Sequence, residues 1–170
     1  NKELLNCYCS SYHCRKKACY LTVAGYIYYL IMSGQSEKIT EDRKYYNENE
    51  EDINEYLLNF FESQIGDLKD NETQSRICLE IGKIYDDNDF VAQALSSYYK
   101  SLQYTTDNNV KSKAHFSMAQ IYDDVNQIEP ALNHYITSIS YAGKSDDLIG
   151  QSDSLTRVAN IFTDKYDENA

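Results

Sequence analysis

Residues Ile84-Tyr85-Asp86-Asp87 return as Ile121-Tyr122-Asp123-Asp124, thirty-seven positions later. Ala94-Leu95 returns at the same step as Ala131-Leu132, and Ser101-Leu102-Gln103-Tyr104 lines up with Ser138-Ile139-Ser140-Tyr141. Three anchors at one offset define an internal repeat, which constrains the fold more than any local pattern does. Within the unit the apolar spacing is helical. Ile77, Cys78, Ile81 and Tyr85 share one helix face, and Leu95, Tyr98, Tyr99 and Leu102 share another. Asp86 to Asp89 separates the two segments, and Thr105 to Asn109 closes the unit. Each unit is therefore expected to be helix, short turn, helix, then a loop. Such a hairpin cannot bury both of its faces alone, so it must stack on its neighbours. The predicted fold is all-α, a right-handed superhelical stack of antiparallel helix hairpins (an α-solenoid) with no β-sheet, monomeric or weakly associating. Only 6 Gly and 1 Pro occur in 170 residues, which agrees with long helices.

The first unit carries Cys78, Ile81-Gly82, Tyr85, Ala94 and Tyr98, and the second carries His115, Met118-Ala119, Tyr122, Ala131 and Tyr135. A third begins with Leu155, Val158-Ala159 and Phe162. At this spacing the chain resembles the tetratricopeptide repeats (TPR), which have a large residue, a Leu-Gly pair and Tyr in the first helix, then Ala and an aromatic in the second. The resemblance has a steric reading. Gly82, Ala119 and Ala159 let neighbouring helices approach, and Ala94 and Ala131 do so where paired helices cross. It also has departures. Trp is missing from the large first position, Thr106 and Gly143 replace the terminal Pro, and the step is 37 and then 40 residues. Longer loops account for the extra residues, as in the long-repeat variety of the family.

Residues 74–170 hold these repeats, and residues 1–73 form a divergent N-terminal helical region. Leu21, Ala24-Gly25 and Tyr28 fit the first-helix spacing, and Leu57, Phe61 and Ile65 fit a second helix. Between them the spacing predicts a charged insertion of about 20 residues, running from 34 to 52 and including Glu48, Glu50, Glu51 and Asp52. Residues 1–16 read as the second helix of an earlier unit.

Charge excludes one class of partner. The formal net charge is −11 and no basic stripe is visible, so nucleic acid is not an expected ligand. Cys7, Cys9, His13, Cys14 and Cys19 crowd one stretch, but they lack the paired spacing of a zinc site. On a helix they do not converge, so packing is expected there, without a metal. Residues 18 to 36 carry no formal charge and follow Arg15-Lys16-Lys17, which approaches a membrane span in length. Thr22, Tyr26, Tyr28, Tyr29, Ser33 and Gln35 argue instead for a buried repeat helix. Asp86-Asp87-Asn88-Asp89 lacks the Gly and the distal Glu of a calcium loop and reads as turn chemistry. No Gly-rich phosphate loop, nucleophile elbow or paired metal-binding His motif occurs. His115, at the large first position, is expected to pack. The chain is accordingly read as a non-enzyme, with no catalytic residue, cofactor or metal.

The resemblance implies a concave groove lined by the first helices, taking an extended peptide or a partner helix. By position the groove residues are Arg76, Leu79 and Lys83, then Lys113, Phe116 and Gln120, then Thr156, Arg157 and Asn160. The other reading of these positions is a solvated helix face. The family's basic clamp for a C-terminal carboxylate is not reproduced, because Leu79 and Phe116 stand where it needs polar residues. Arg76, Lys83, Lys113 and Arg157 instead suggest an acidic protein or peptide partner. A protein-binding scaffold is thus the expected function. A regulatory peptide-sensing domain of a larger protein, or a membrane-associated assembly factor, are the alternatives. The chain opens at Asn1 without an initiator Met or a cleavable signal and reads as a processed or cut chain, so original targeting signals are not visible. The setting expected for a scaffold of this kind is cytoplasmic. Tyr166 and Ala170 are spaced like Phe90 and Ala94, so the last repeat reads as truncated, with Val158, Ile161 and Phe162 at its edge.

Overall fold

A computed structural model describes the backbone of residues 16–33, 35, 50–66 and 68–167. Seven α-helices and no strand occur among them: α1 (Lys16–Met32), α2 (Glu50–Ile65), α3 (Asn71–Asp87), α4 (Val91–Tyr104), α5 (Asn108–Asp124), α6 (Ile128–Lys144) and α7 (Leu148–Asp167). They divide into two compact units, Asn1–Lys69 and Asp70–Ala170. The cysteines at 7, 9 and 14, His13 and nearly all of the charged insertion lie outside the described residues.

In the first unit α1 packs against α2. Ala24, Ile27, Leu30 and Ile31 of α1 are buried, as are Leu57 and Phe61 of α2. Tyr28 meets Phe60 edge-on, with ring centroids 6.0 Å apart. Of the small pair, Ala24 is buried, and Gly25 is exposed with open space around its α-carbon. Among the described residues no helix is long and apolar enough to cross a membrane.

The second unit is built on capping chemistry that repeats with the sequence. Asp70, Asp107 and Asp147 each precede a helix and accept a backbone N–H of its first turn, from Thr73 (3.0 Å), Asn109 (2.8 Å) and Gly150 (2.9 Å). These bonds satisfy donors that have no partner inside the helix. The turns after α3, α5 and α6 each place one residue in the left-handed region, Asp89 (φ 61°), Asn126 (φ 56°) and Asp146 (φ 55°). Asn and Asp tolerate that conformation better than other non-glycine residues. After α3 the amides of Asp89 and Phe90 reach back to the carbonyls of Asp86 and Tyr85, both at 2.9 Å. The Phe90 ring then packs edge-on against Tyr85 at 6.3 Å. Asn126 and Gln127 repeat the two backward bonds to Asp123 and Tyr122. This double bond with an apolar clasp stops a helix and reverses the chain without glycine.

α3 pairs with α4 and α5 with α6, and α7 packs on α6. α5 also packs on α4, and α3, α5 and α7 make contacts in succession. Two apolar clusters result. The first joins Leu79, Ala94 and Tyr98 to Val110, Ala114, Met118 and Ile121 of α5. The second joins Ala119, Ala131 and Tyr135 to Ile161 of α7, with Phe116 and Val158 against them. Ala131 and Tyr135 take the places of Ala94 and Tyr98, and Val158 and Ile161 those of Met118 and Ile121. The second core thus copies the first at the sequence steps of 37 and 40.

Close approach within each pair follows from small residues. The Ser75 hydroxyl lies 3.0 Å from that of Ser101, and the Ser112 hydroxyl 3.1 Å from that of Ser138. At the other end of the first pair the Tyr98 ring lies directly over Gly82. A Cβ there would fall 2.4 Å from a ring carbon. Ala119 is fully buried, whereas Ala159 is exposed, so the close-approach role expected of Ala159 has no packed partner among the described residues.

Candidate functional site

The groove positions lie on α3, α5 and α7, the three helices that contact one another in succession. Leu79 is committed to the core and 3% exposed. Phe116 is half-buried, its ring against Tyr135 at 5.8 Å. The remaining positions keep polar atoms near solvent. Arg76 reaches the carboxylate of Asp107 at 3.6 Å, and Lys83 donates to the buried carboxylate of Glu80 at 2.8 Å. Lys113 and Gln120 are half-buried; Thr156, Arg157 and Asn160 are exposed. Lys113 and Arg157 have no ion pair among the described residues. The 40-residue step carries Lys113 onto Asp153, with Arg157 one helical turn further on the same face.

The flanks of this face are fixed by charge-assisted bonds. Glu72 accepts from the Thr105 hydroxyl at 2.6 Å and from the amide and hydroxyl of Thr106, both at 2.7 Å. Burial alone would raise its pKa, but these bonds and Arg76 hold it below the usual glutamate value. Asp70 is also held low, chiefly by the Thr73 hydroxyl and then by the Thr73 amide. The repeated Asp at the turns has a partner that sequence did not reveal. Tyr98 donates to Asp86 at 3.4 Å and Tyr135 to Asp123 at 3.3 Å. Burial, then the negative charge nearby, raises both tyrosine pKa values, so each hydroxyl keeps its proton to donate.

The largest feature missed from sequence is a column of four rings on α5 and α6. Tyr141 stacks on His115 (5.8 Å, 13°), His115 meets His134 (5.1 Å, 34°), and His134 stacks on Tyr122 (5.4 Å, 18°). The two histidines touch through Nδ1 atoms 2.9 Å apart. Their spacing of 19 residues suggests nothing by itself. Register would have found it. Ser112 faces Ser138, and moving one turn inward along each antiparallel helix brings His115 opposite His134.

Among the described residues no group of three or more His, Cys, Asp or Glu is placed to hold a metal ion. Comparison with known proteins returns no matching family model, no matching curated protein and no matching solved structure.

Proposed function

We propose that residues 70–170 form a tetratricopeptide-like stack of helix hairpins that acts as a protein- or peptide-binding scaffold. Its ligand face is the side of α3, α5 and α7 that carries the half-buried Arg76, Lys83, Lys113 and Gln120 and the exposed Thr156, Arg157 and Asn160. The observation that carries this reading is the succession of contacts from α3 to α5 to α7. It sets three helices side by side in succession, which supports reading their partly exposed polar positions as one strip, while the apolar residues of the same helices are used in the cores. The strip bears Arg76, Lys83, Lys113 and Arg157 on a chain of net charge −11. A local patch of opposite potential favours an acidic segment and a salt-sensitive on-rate. Arg76 and Lys83 are partly neutralised by Asp107 and Glu80, so Lys113 and Arg157 carry most of the available charge.

The test uses three fluorescent peptide pools, rich in Asp/Glu, rich in Lys/Arg, and neutral, against the full chain. The acidic pool should be retained best, its retention falling as salt rises, and Lys113→Glu with Arg157→Glu should abolish it. Preference for the basic pool, or unchanged retention by the double variant, rejects the strip as the ligand face.

A further inference from the structure

The column Tyr122–His134–His115–Tyr141 has no counterpart in the α3–α4 pair, although its outer rings do. Tyr85 and Tyr104 occupy the equivalent outer positions, but Cys78 and Ser97 stand where His115 and His134 stand. The first pair therefore shows that this architecture closes without the histidines. In the second pair they replace a small thiol and a small hydroxyl with two half-buried imidazoles in direct contact.

A neutral imidazole carries one donor and one acceptor nitrogen, so two neutral rings satisfy each other across Nδ1–Nδ1 when their tautomers are complementary. A doubly protonated pair would set two N–H donors head-on at 2.9 Å. The surroundings oppose even the first proton. From α5 the neighbours are Lys111 and Tyr122, and from α6 they are Tyr141 and Lys144. The ammonium groups of Lys111 and Lys144 lie 5.5 and 4.9 Å from the centre of the Tyr141 ring, which stacks on His115. α4 contributes Tyr99, which lies close enough to Tyr122 to feel its hydroxyl. The charge that acts on His115 is that of His134, and burial is what acts on His134. No carboxylate of α3 or α7 enters either balance among the described residues.

We propose that the His115–His134 contact is an acid-released joint: it holds α5 against α6 while both rings are neutral and opens that pair when both are protonated. Burial, then His134, pushes the His115 pKa down to about 4 from 6.5, and burial lowers that of His134. The sign follows. The unfolded chain binds these protons first, so the joint's contribution is complete above pH 6.5 and is lost as pH falls from there toward 4. Each imidazole steepens the loss by up to about tenfold in the folding equilibrium per pH unit, and two coupled ones by up to about a hundredfold.

The experiment compares the full chain with His115→Cys/His134→Ser, which installs the residues of the first pair. Urea unfolding is followed at four pH values from 7.5 to 4.5, with hydrogen exchange read on the amides of α5 and α6. The wild type should lose protection in α5 and α6 steeply over this range, and the double variant should lose the steep component. Equal slopes in the two proteins overturn the proposal. Should the double variant fold poorly, NMR titration of the histidine rings in the wild-type chain decides alone. Two midpoints well below 6.5 support the joint, and midpoints near the ordinary histidine value for both rings overturn it.

Discussion

Gly82→Ala tests how tightly the first helix pair is closed. A methyl at this position would meet two Tyr98 ring carbons at 2.4 and 2.5 Å, where ordinary contact begins near 3.4 Å. The ring must withdraw by roughly 1 Å into a close-packed interior, and Tyr98 is fully buried. Withdrawal also strains the Tyr98–Asp86 bond, already 3.4 Å long. Overpacking of this kind costs about 1–3 kcal/mol and the hydrogen bond about 1 kcal/mol, against a gain of about 1 kcal/mol in helix propensity. The net expectation is a loss of about 1–3 kcal/mol, a fall in Tm of about 4–8 °C for each kcal/mol in a unit of this size.

Gly143→Ala in α6 is the control. There the new methyl meets only the end of the Gln151 side chain, at 3.1 Å, and stability should change by between zero and about +1 kcal/mol. Thermal unfolding by circular dichroism reads both variants. The second pair already holds a methyl at this seat, since Ala119 and Tyr135 share one core. If Tyr98 can adopt that arrangement unaided, Gly82→Ala will melt at or above wild type, and the steric argument fails. A Tyr98→Leu background sharpens the test, because removing the ring should turn the cost of Gly82→Ala into a gain and give a measurable coupling.

Asp86→Asn should raise Tm at pH 7. Burial, then Asp87, raises the Asp86 pKa, so its ionised form weakens the fold at neutral pH and that weakening fades as pH falls toward 3.8. The amide still accepts from Tyr98, and relief at the helix C-terminus alone is worth about 0.3–1 kcal/mol; a gain no smaller at pH 3.5 than at pH 7 would contradict this assignment. Glu72→Gln should cost about 1 kcal/mol at pH 7, a modest value because the carboxylate is only partly buried and the amide oxygen still accepts. Its folded pKa is depressed from 4.5, so the difference from wild type should be present above that value and shrink as pH falls through the folded one. Urea unfolding at pH 7 and pH 3.5 reads it, and a pH-independent difference would detach the effect from the Thr105–Thr106 contacts.

The all-helical fold was legible because the repeat states it several times. Ala94 and Ala131 were identified as crossing residues by their equal distance from Tyr85 and Tyr122, and both are fully buried. Gly82 was identified by the same logic and sits under Tyr98. That logic fails at Ala159, which is exposed. A small residue shows only that an approach is possible, and the approaching element has to be present. Leu79 shows the matching limit at the groove, since a position on the first-helix face can still turn its side chain into the core. The serine contacts, the Tyr–Asp bonds and the ring column were hidden for one reason. Each joins two helices, and sequence periodicity gives the face of a helix without its register against a partner.

The repeat also separates what builds the unit from what distinguishes its parts. Positions kept between the two pairs are the ones with packing or capping partners: Asp70 and Asp107, Ser75 and Ser112, Asp86 and Asp123, Ala94 and Ala131, Tyr98 and Tyr135, Ser101 and Ser138. Among the positions that change, two sets bear on the proposals. On the solvent side of the first helices Arg76 becomes Lys113 and then Asp153, and Lys83 becomes Gln120 and then Asn160. Cationic character therefore declines from α3 to α7, apart from Arg157. Because Arg76 and Lys83 are partly neutralised by Asp107 and Glu80, an extended acidic ligand would find its strongest attraction at Lys113 of α5 and Arg157 of α7. Within the second pair the thiol and hydroxyl of the first become the two histidines. A core position has little reason to exchange small neutral groups for two titratable rings on packing grounds, since Cys78 and Ser97 already fill it, both buried. The exchange places an acid-labile contact between α5 and α6, and α5 is the helix that carries Lys113. Protonation of the pair and loss of an acidic ligand would then be coupled through a single helix, which is why the hydrogen exchange of α5 bears on both proposals while the peptide pools bear on only one.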